Sequence, residues 1–143
     1  MILKIAKAIW FFSLLACMGV MMYVYASLQE TVELTGEEGV WQLSRDAFFY
    51  STLALVSLIN MLVFVVSRVY PQTHEDFKAW FYGLVVVLNI FFIIGFSFVS
   101  LTNSGERFDY ARIGGIIYGS VGLIVVWSIV WPVYSLSRTF LRK

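Results

Sequence analysis

The sequence predicts an all-α membrane protein: an antiparallel bundle of four transmembrane helices with both termini in the cytoplasm and a short β-hairpin outside. Four stretches contain no charged residue, and each is at least 21 residues long. A helix that rises about 1.5 Å per residue needs about 20 residues to cross the hydrocarbon core. Only 13% of all residues are charged, against about 25% in soluble domains. The uncharged stretches are Ala8–Leu28, Ala47–Ser67, Ala79–Gly105 and Ile113–Ser137.

Lipid is the expected solvent for most of this chain, which forms a single domain over residues 1–143. Hydrophobic residues make up 60% of the 143 positions, more than so small a domain can bury in its own interior. The predicted spans are 8–28, 47–67, 79–102 and 113–135.

The first span also resembles a targeting signal. Lys4 and Lys7 precede the apolar run, Val24-Tyr25-Ala26 resembles a cleavage site, and Leu14 to Cys17 resembles a lipoprotein signal. The apolar run nevertheless continues to Leu28, which is longer than a typical signal, and apolar residues follow Cys17. We expect an uncleaved first helix, and a processed signal is the alternative.

Basic residues set the expected orientation, because cytoplasmic loops of membrane proteins are enriched in Lys and Arg. With the N-terminus inside, four spans return the C-terminus to the cytoplasm. Seven of the ten basic residues then lie inside: Lys4, Lys7, Arg68, Lys78, Arg138, Arg142 and Lys143. Tryptophans near the inner span ends, including Trp10 and Trp80, are expected to act as interfacial anchors.

The outer loop, residues 29–43, alternates apolar and polar residues around a glycine-bearing turn. We expect strands at 31–34 and 40–43 and a five-residue turn at 35–39. Trp41 and Leu43 are expected to supply the apolar face of this hairpin. Glu33, Glu37, Glu38 and Trp41 are candidate contacts for a cation or a basic partner. A solvated acidic loop is the simpler interpretation.

Local signals mark where the remaining helices begin and end. Ser44 is a good N-cap for the second helix, and Asp46 complements the positive end of its dipole. Pro71 is expected to end this helix, and residues 73–76 are expected to cap the third helix. Gly105 lies in the short turn before the fourth helix.

The predicted spans contain no Asp, Glu, Lys, Arg or His. Proton relays, voltage sensors and ion-coupled transporters normally carry ionisable residues inside the membrane. The chain also lacks a thiol pair and the sequence motifs of nucleophilic catalysis or phosphate binding. His74, its only histidine, is expected to be a solvated loop residue. We therefore expect no enzyme activity, no catalytic residue, no cofactor and no metal site. A net charge of +1 without a basic stripe also argues against a nucleic-acid partner.

Two asparagines are the most polar residues of the predicted spans. Asn60 lies eight residues before Arg68, and Asn89 lies eleven residues after Lys78. In antiparallel neighbouring helices these spacings place both amides at a similar depth. An unsatisfied amide in hydrocarbon costs several kcal/mol. We therefore expect them to bond to each other or to a helix carbonyl, and a polar transport path is the alternative.

The fourth span carries a glycine face formed by Gly115, Gly119 and Gly122. Their intervals of four and three residues place them on one side of a helix, where two backbones can approach closely. We expect the partner to be another helix of this chain, and a second subunit is the alternative.

The acidic outer hairpin followed by residues 44–50, Ser-Arg-Asp-Ala-Phe-Phe-Tyr, resembles the small four-helix proteins of bacterial inner membranes that have no assigned activity. The resemblance implies architecture only. Three functions remain open. The first is an accessory or structural subunit of a larger membrane complex, or a homo-oligomer, surrounded by lipid. The second is a small transporter or channel, whose path would need Asn60, Asn89, Ser57 and Ser97. The third is a lipid- or quinone-binding protein.

Overall fold

The computed structural model describes residues 1–36, 39–70, 75–105 and 110–141, with backbone alone at 35–36, 110–111 and 138–141. Four long helices and a two-stranded hairpin account for the described residues, so the predicted fold class is confirmed at this level. The elements are α1 (Ile2–Ser27), β1 (Thr31–Gly36), β2 (Gly39–Ser44), α2 (Arg45–Val69), α3 (Glu75–Asn103) and α4 (Tyr110–Leu141).

All four helices are long enough and apolar enough to cross a membrane. They contain 26, 25, 29 and 32 residues, where about 20 suffice. The helices extend past most ends of the predicted spans, and α4 continues through Pro132. The predicted cap of α2 is present, because the Ser44 hydroxyl accepts a hydrogen bond from the Ala47 N–H at 3.2 Å.

Helix α3 is the centre of the bundle and contacts each of the other helices. Helices adjacent in sequence run antiparallel, as predicted, but the most extensive contact joins α1 to α3, which run parallel. Ser13 meets Asn89 and Ser27 meets Ser100, so both helices rise together. Within the described residues, α4 packs against α3 alone.

The core is divided into two apolar clusters. We call the end of the bundle near Met1 the terminus end and the opposite end the hairpin end. The hairpin-end cluster consists of Cys17, Met21, Val24, Leu28, Val32, Val56 and Phe96. The terminus-end cluster is centred on Val63, Tyr82 and Val85. Helices α1, α2 and α3 contribute to both, so the three helices share one interior.

The hairpin is longer than the sequence pattern suggested. Strands β1 and β2 pair from Thr31 with Ser44 to Gly36 with Gly39. The predicted five-residue turn at 35–39 is therefore wrong, since the strands continue to Gly36 and restart at Gly39. Gly39 has a φ of 135°, a conformation that glycine adopts at little cost.

Candidate functional site

Asn60 and Asn89 are hydrogen-bonded to each other between the two apolar clusters. Asn60 Nδ2 donates to Asn89 Oδ1 at 2.8 Å, and Asn89 Nδ2 donates to Asn60 Oδ1 at 3.1 Å. Asn60 also donates to the Val56 carbonyl at 2.9 Å. The exposed fractions of the two residues are 5% and 0%. This reciprocal pair fixes the depth of α2 relative to α3.

Two residues of α1 complete what we call the polar network: Trp10, Ser13, Asn60 and Asn89. Trp10 Nε1 donates to Asn60 Oδ1 at 2.9 Å, and Asn89 Nδ2 donates to Ser13 Oγ at 3.0 Å. The Ser13 hydroxyl donates in turn to the Trp10 carbonyl at 2.8 Å. Trp10 is therefore not the interfacial anchor that its position near a span end suggested. The sequence contained one indication of this arrangement. Trp10 and Ser13 are three residues apart, and residues at that spacing lie on one helix face.

The polar network is suited to holding helices together. Amide, indole and hydroxyl groups stay neutral at physiological pH, and here they satisfy one another. Ser57 and Ser97, which a transport path would also need, both lie on exposed faces. Asn60 and Asn89 are buried, whereas Ser57 and Ser97 are exposed. The four residues that a transport path would need therefore do not line one common path within this chain.

The glycine face of α4 does not contact another helix of this chain. Gly115, Gly119 and Gly122 are exposed, and a β-carbon built on any of them meets nothing within 4 Å. The expectation of a partner helix within the chain is therefore wrong. Helix α4 instead turns Trp127 toward α3. At about 100° per residue, the glycines lie about 80° to 140° around the helix from this tryptophan.

The close approach of α4 to α3 occurs at Gly83. A β-carbon at Gly83 would overlap Cζ2 of Trp127 and lie 2.9 Å from its Cε2. One turn earlier, Trp80 Nε1 donates to the Trp127 carbonyl at 2.9 Å, and Trp127 Nε1 donates to the Trp80 carbonyl at 3.1 Å. Gly83 follows Trp80 by three residues, a spacing that shares a helix face, but the partner on α4 could be found only in three dimensions.

An apolar groove of about 670 Å³ separates α1 from α4 at the terminus end. Helix α3 forms its floor, Ile5 and Ile9 line the α1 side, and Val130 and Trp131 line the α4 side. Asp76 lies at its end, where it accepts a hydrogen bond from the Tyr134 hydroxyl at 3.3 Å. The groove can hold an elongated apolar group.

The hairpin packs on the bundle through β1 rather than through Trp41 and Leu43. Val32 is fully buried in the hairpin-end cluster, and Leu34 packs against the same cluster. Their partners across the sheet are Leu43 and Trp41, so all four side chains share one face. Trp41 is nevertheless 68% exposed and Leu43 is 37% exposed. The apolar face of the hairpin was predicted correctly. The prediction that Trp41 and Leu43 pack on the bundle was wrong, because β1 lies nearer to α3 than β2 does.

Asn103 at the end of α3 ties the hairpin to the bundle. Its Oδ1 accepts from the Glu33 N–H at 2.8 Å, and its Nδ2 donates to the Glu33 carbonyl at 3.1 Å. The Asn103 amide thus satisfies the Glu33 N–H and carbonyl on the edge of β1 that does not pair with β2. No pattern in the sequence pointed to this role of Asn103.

The predicted acidic contacts are only partly described by the structure. The Glu33 carboxylate accepts from Gln42 Nε2 at 3.3 Å, on the face of the hairpin opposite Val32. Glu37, Glu38 and His74 lie outside the described residues. In the part of the chain that the structure describes, no three His, Cys, Asp or Glu side chains come close enough to hold a metal ion.

The fold and these sites define a class: a helical protein with four segments able to span a membrane, a polar network between two apolar clusters, and an unpaired glycine face. Comparison of the chain with protein-family models, curated proteins and solved structures finds no match.

Proposed function

We propose that the protein is a non-catalytic, multi-pass subunit that supports a larger complex in a bacterial inner membrane. The exposed glycine face of α4 is the observation that carries this proposal. Its expected occupant is a transmembrane helix of another subunit.

The position of α4 makes its outer side the most accessible helix surface for a partner. Helix α4 contacts α3 alone, and Gly115, Gly119 and Gly122 leave a shallow strip of bare backbone along its exposed side. Close backbone approach at such strips gains dispersion contacts that lipid chains cannot match. Polar groups inside the bundle are meanwhile satisfied by one another. These contacts thus support a role in assembling a protein complex rather than a role in catalysis.

The charge distribution supports an orientation with both termini in the cytoplasm. Lys4, Lys7, Arg68 and Lys78 all lie at the terminus end, whereas Glu30 and Glu33 lie at the hairpin end. Inner-membrane loops with this bias are retained on the cytoplasmic side. The hairpin is then in the periplasm.

The test of this function compares two exposed glycines. The Gly119→Ile protein is extracted in gentle detergent, and co-purified proteins are identified by mass spectrometry. Gly19→Ile is the matched control, because Gly19 is also exposed on a helix with nothing within 4 Å. We expect one partner to be recovered with the wild type and with Gly19→Ile and to be lost with Gly119→Ile. A wild type that is monodisperse and free of other proteins would overturn the proposal, as would a partner retained by Gly119→Ile.

A second candidate function is binding of a lipid or quinone in the apolar groove between α1 and α4. Its volume of about 670 Å³ and its apolar walls favour this function. Organic extraction of purified protein, followed by chromatography, tests it. We expect a stoichiometric isoprenoid or acyl compound from the wild type and its loss from Val130→Trp, which fills the groove. Equal recovery from both proteins would exclude the groove as the binding site.

A further inference from the structure

We propose that a second cavity, at the terminus end, binds the phosphate group of an anionic ligand. The cavity has a volume of about 650 Å³ and lies between α1, α2 and α3. Each of these helices contributes one cation to its lining: Lys7 from α1, Arg68 from α2 and Lys78 from α3. Glu75 is the one acidic residue among the lining residues that the structure describes. The inference goes beyond the assembly role, since it concerns neither α4 nor the groove.

The three cations lie at one level of the bundle. Each is the first charged residue beyond an uncharged run: Lys7 precedes Ala8, Arg68 follows Ser67, and Lys78 precedes Ala79. In a membrane this level is the boundary between hydrocarbon and headgroups. Basic pockets between helices at this depth attract lipid phosphates.

Lys78 is the most buried of the three cations, with an exposed fraction of 7%. Its Nζ donates to the Ser67 carbonyl at 3.2 Å, which satisfies one carbonyl in the last turn of α2. An ammonium group has three N–H donors. Among the described residues no carboxylate lies within 4 Å of Lys78, and the ion pair found among those residues joins Arg45 to Asp46 at the hairpin end. A buried charge is stable only with compensation, and a bound anion would supply it.

Lys7 is held against α3 by a contact with an aromatic ring. Its ammonium lies 5.9 Å from the centre of the Tyr82 ring, and Tyr82 is buried. The Tyr82 hydroxyl lies 3.2 Å from Ser67 Oγ. The ring that Lys7 contacts is therefore hydrogen-bonded to α2. Arg68 adds a planar guanidinium, which binds phosphate oxygens through two parallel hydrogen bonds. Lysines bind phosphate as point charges.

The phosphate could come from a phospholipid headgroup or from a soluble phosphate, and the experiment separates these sources. Purified protein is reconstituted with equal amounts of phosphatidylglycerol and phosphatidylcholine, and bound lipids are counted by native mass spectrometry. In a second arm, the Tm of the delipidated protein is measured with and without inorganic phosphate. The variants are Lys7→Gln and Arg68→Gln, whose side chains are exposed and whose loss leaves the Lys78 bond intact. Lys4→Gln is the control, because Lys4 carries the same charge on the same helix outside the cavity lining.

We expect wild type and Lys4→Gln to retain phosphatidylglycerol preferentially. Each cavity variant should lower that preference about fivefold, the effect of one basic residue near an anionic lipid. A rise in Tm with inorganic phosphate that is lost in the cavity variants would identify a soluble phosphate as a sufficient ligand. The proposal is overturned if all four proteins retain the same lipids and phosphate leaves every Tm unchanged. Neither arm depends on a protein partner, so its outcome is independent of the assembly role.

Discussion

Trp80 and Trp127 each donate an indole N–H to the main-chain carbonyl of the other, at 2.9 and 3.1 Å. This reciprocal pair attaches α4 to α3. Gly83 makes it possible, because the Trp127 ring occupies the space that a side chain would need. The attachment of α4 to α3 therefore depends on the absence of a β-carbon at Gly83.

Replacing Gly83 with alanine should loosen α4. The added methyl group overlaps the Trp127 ring, and overpacking of this kind costs about 1–3 kcal/mol. We expect a lower unfolding free energy in a detergent titration followed by tryptophan fluorescence. Gly95→Ala is the control, because its β-carbon meets nothing within 4 Å. A Gly83→Ala protein as stable as Gly95→Ala would contradict the close packing.

The destabilising effects of Asn60→Leu and Asn89→Leu should not be additive. Asn89→Leu leaves Asn60 and Ser13 short of partners, and an unsatisfied buried group costs about 1–3 kcal/mol. The double variant Asn60→Leu, Asn89→Leu should be less destabilised than the sum of the two single variants. Unfolding free energies of the four proteins test this. Ser97→Ala, on an exposed face, should have little effect, and strict additivity would argue against a direct bond.

Asn103→Ala should release the hairpin without unfolding the bundle. The variant loses both hydrogen bonds to the Glu33 main chain, so the Glu33 amide should exchange its hydrogen faster. Hydrogen exchange followed by mass spectrometry of the hairpin peptide measures this change. Ser97→Ala is the control, since the Ser97 hydroxyl bonds to the Ile93 carbonyl of its own helix. Unchanged exchange in Asn103→Ala would show that Val32 packing alone holds the strand.

A reporter joined after Lys143 should report a cytoplasmic C-terminus. The excess of Lys and Arg at the terminus end predicts this orientation. A phosphatase that is active only in the periplasm should therefore be inactive in this fusion and active when inserted in the hairpin. The reverse pattern would invert the proposed topology.

The sequence was sufficient for the helices, because long uncharged runs and the Ser44 cap are local signals. It also paired Asn60 with Asn89, since charged residues at the run ends set a common depth. It failed where a contact depends on how helices are arranged around each other. The spacing of Gly115, Gly119 and Gly122 showed that they share a face but not which way the face points. The cavity cations were each visible at the end of an uncharged run, yet only the fold brings Lys7, Arg68 and Lys78 together.

The parallel contact between α1 and α3 has a consequence for how the chain is made. Synthesis delivers the N-terminal helices first, yet α1 has its largest contact with a helix that emerges third. Without α3, Asn60 lacks the Asn89 amide, with which it exchanges two hydrogen bonds in the complete fold. The interior that α1, α2 and α3 share can therefore be completed only after α3 has been made, and α4 packs on α3.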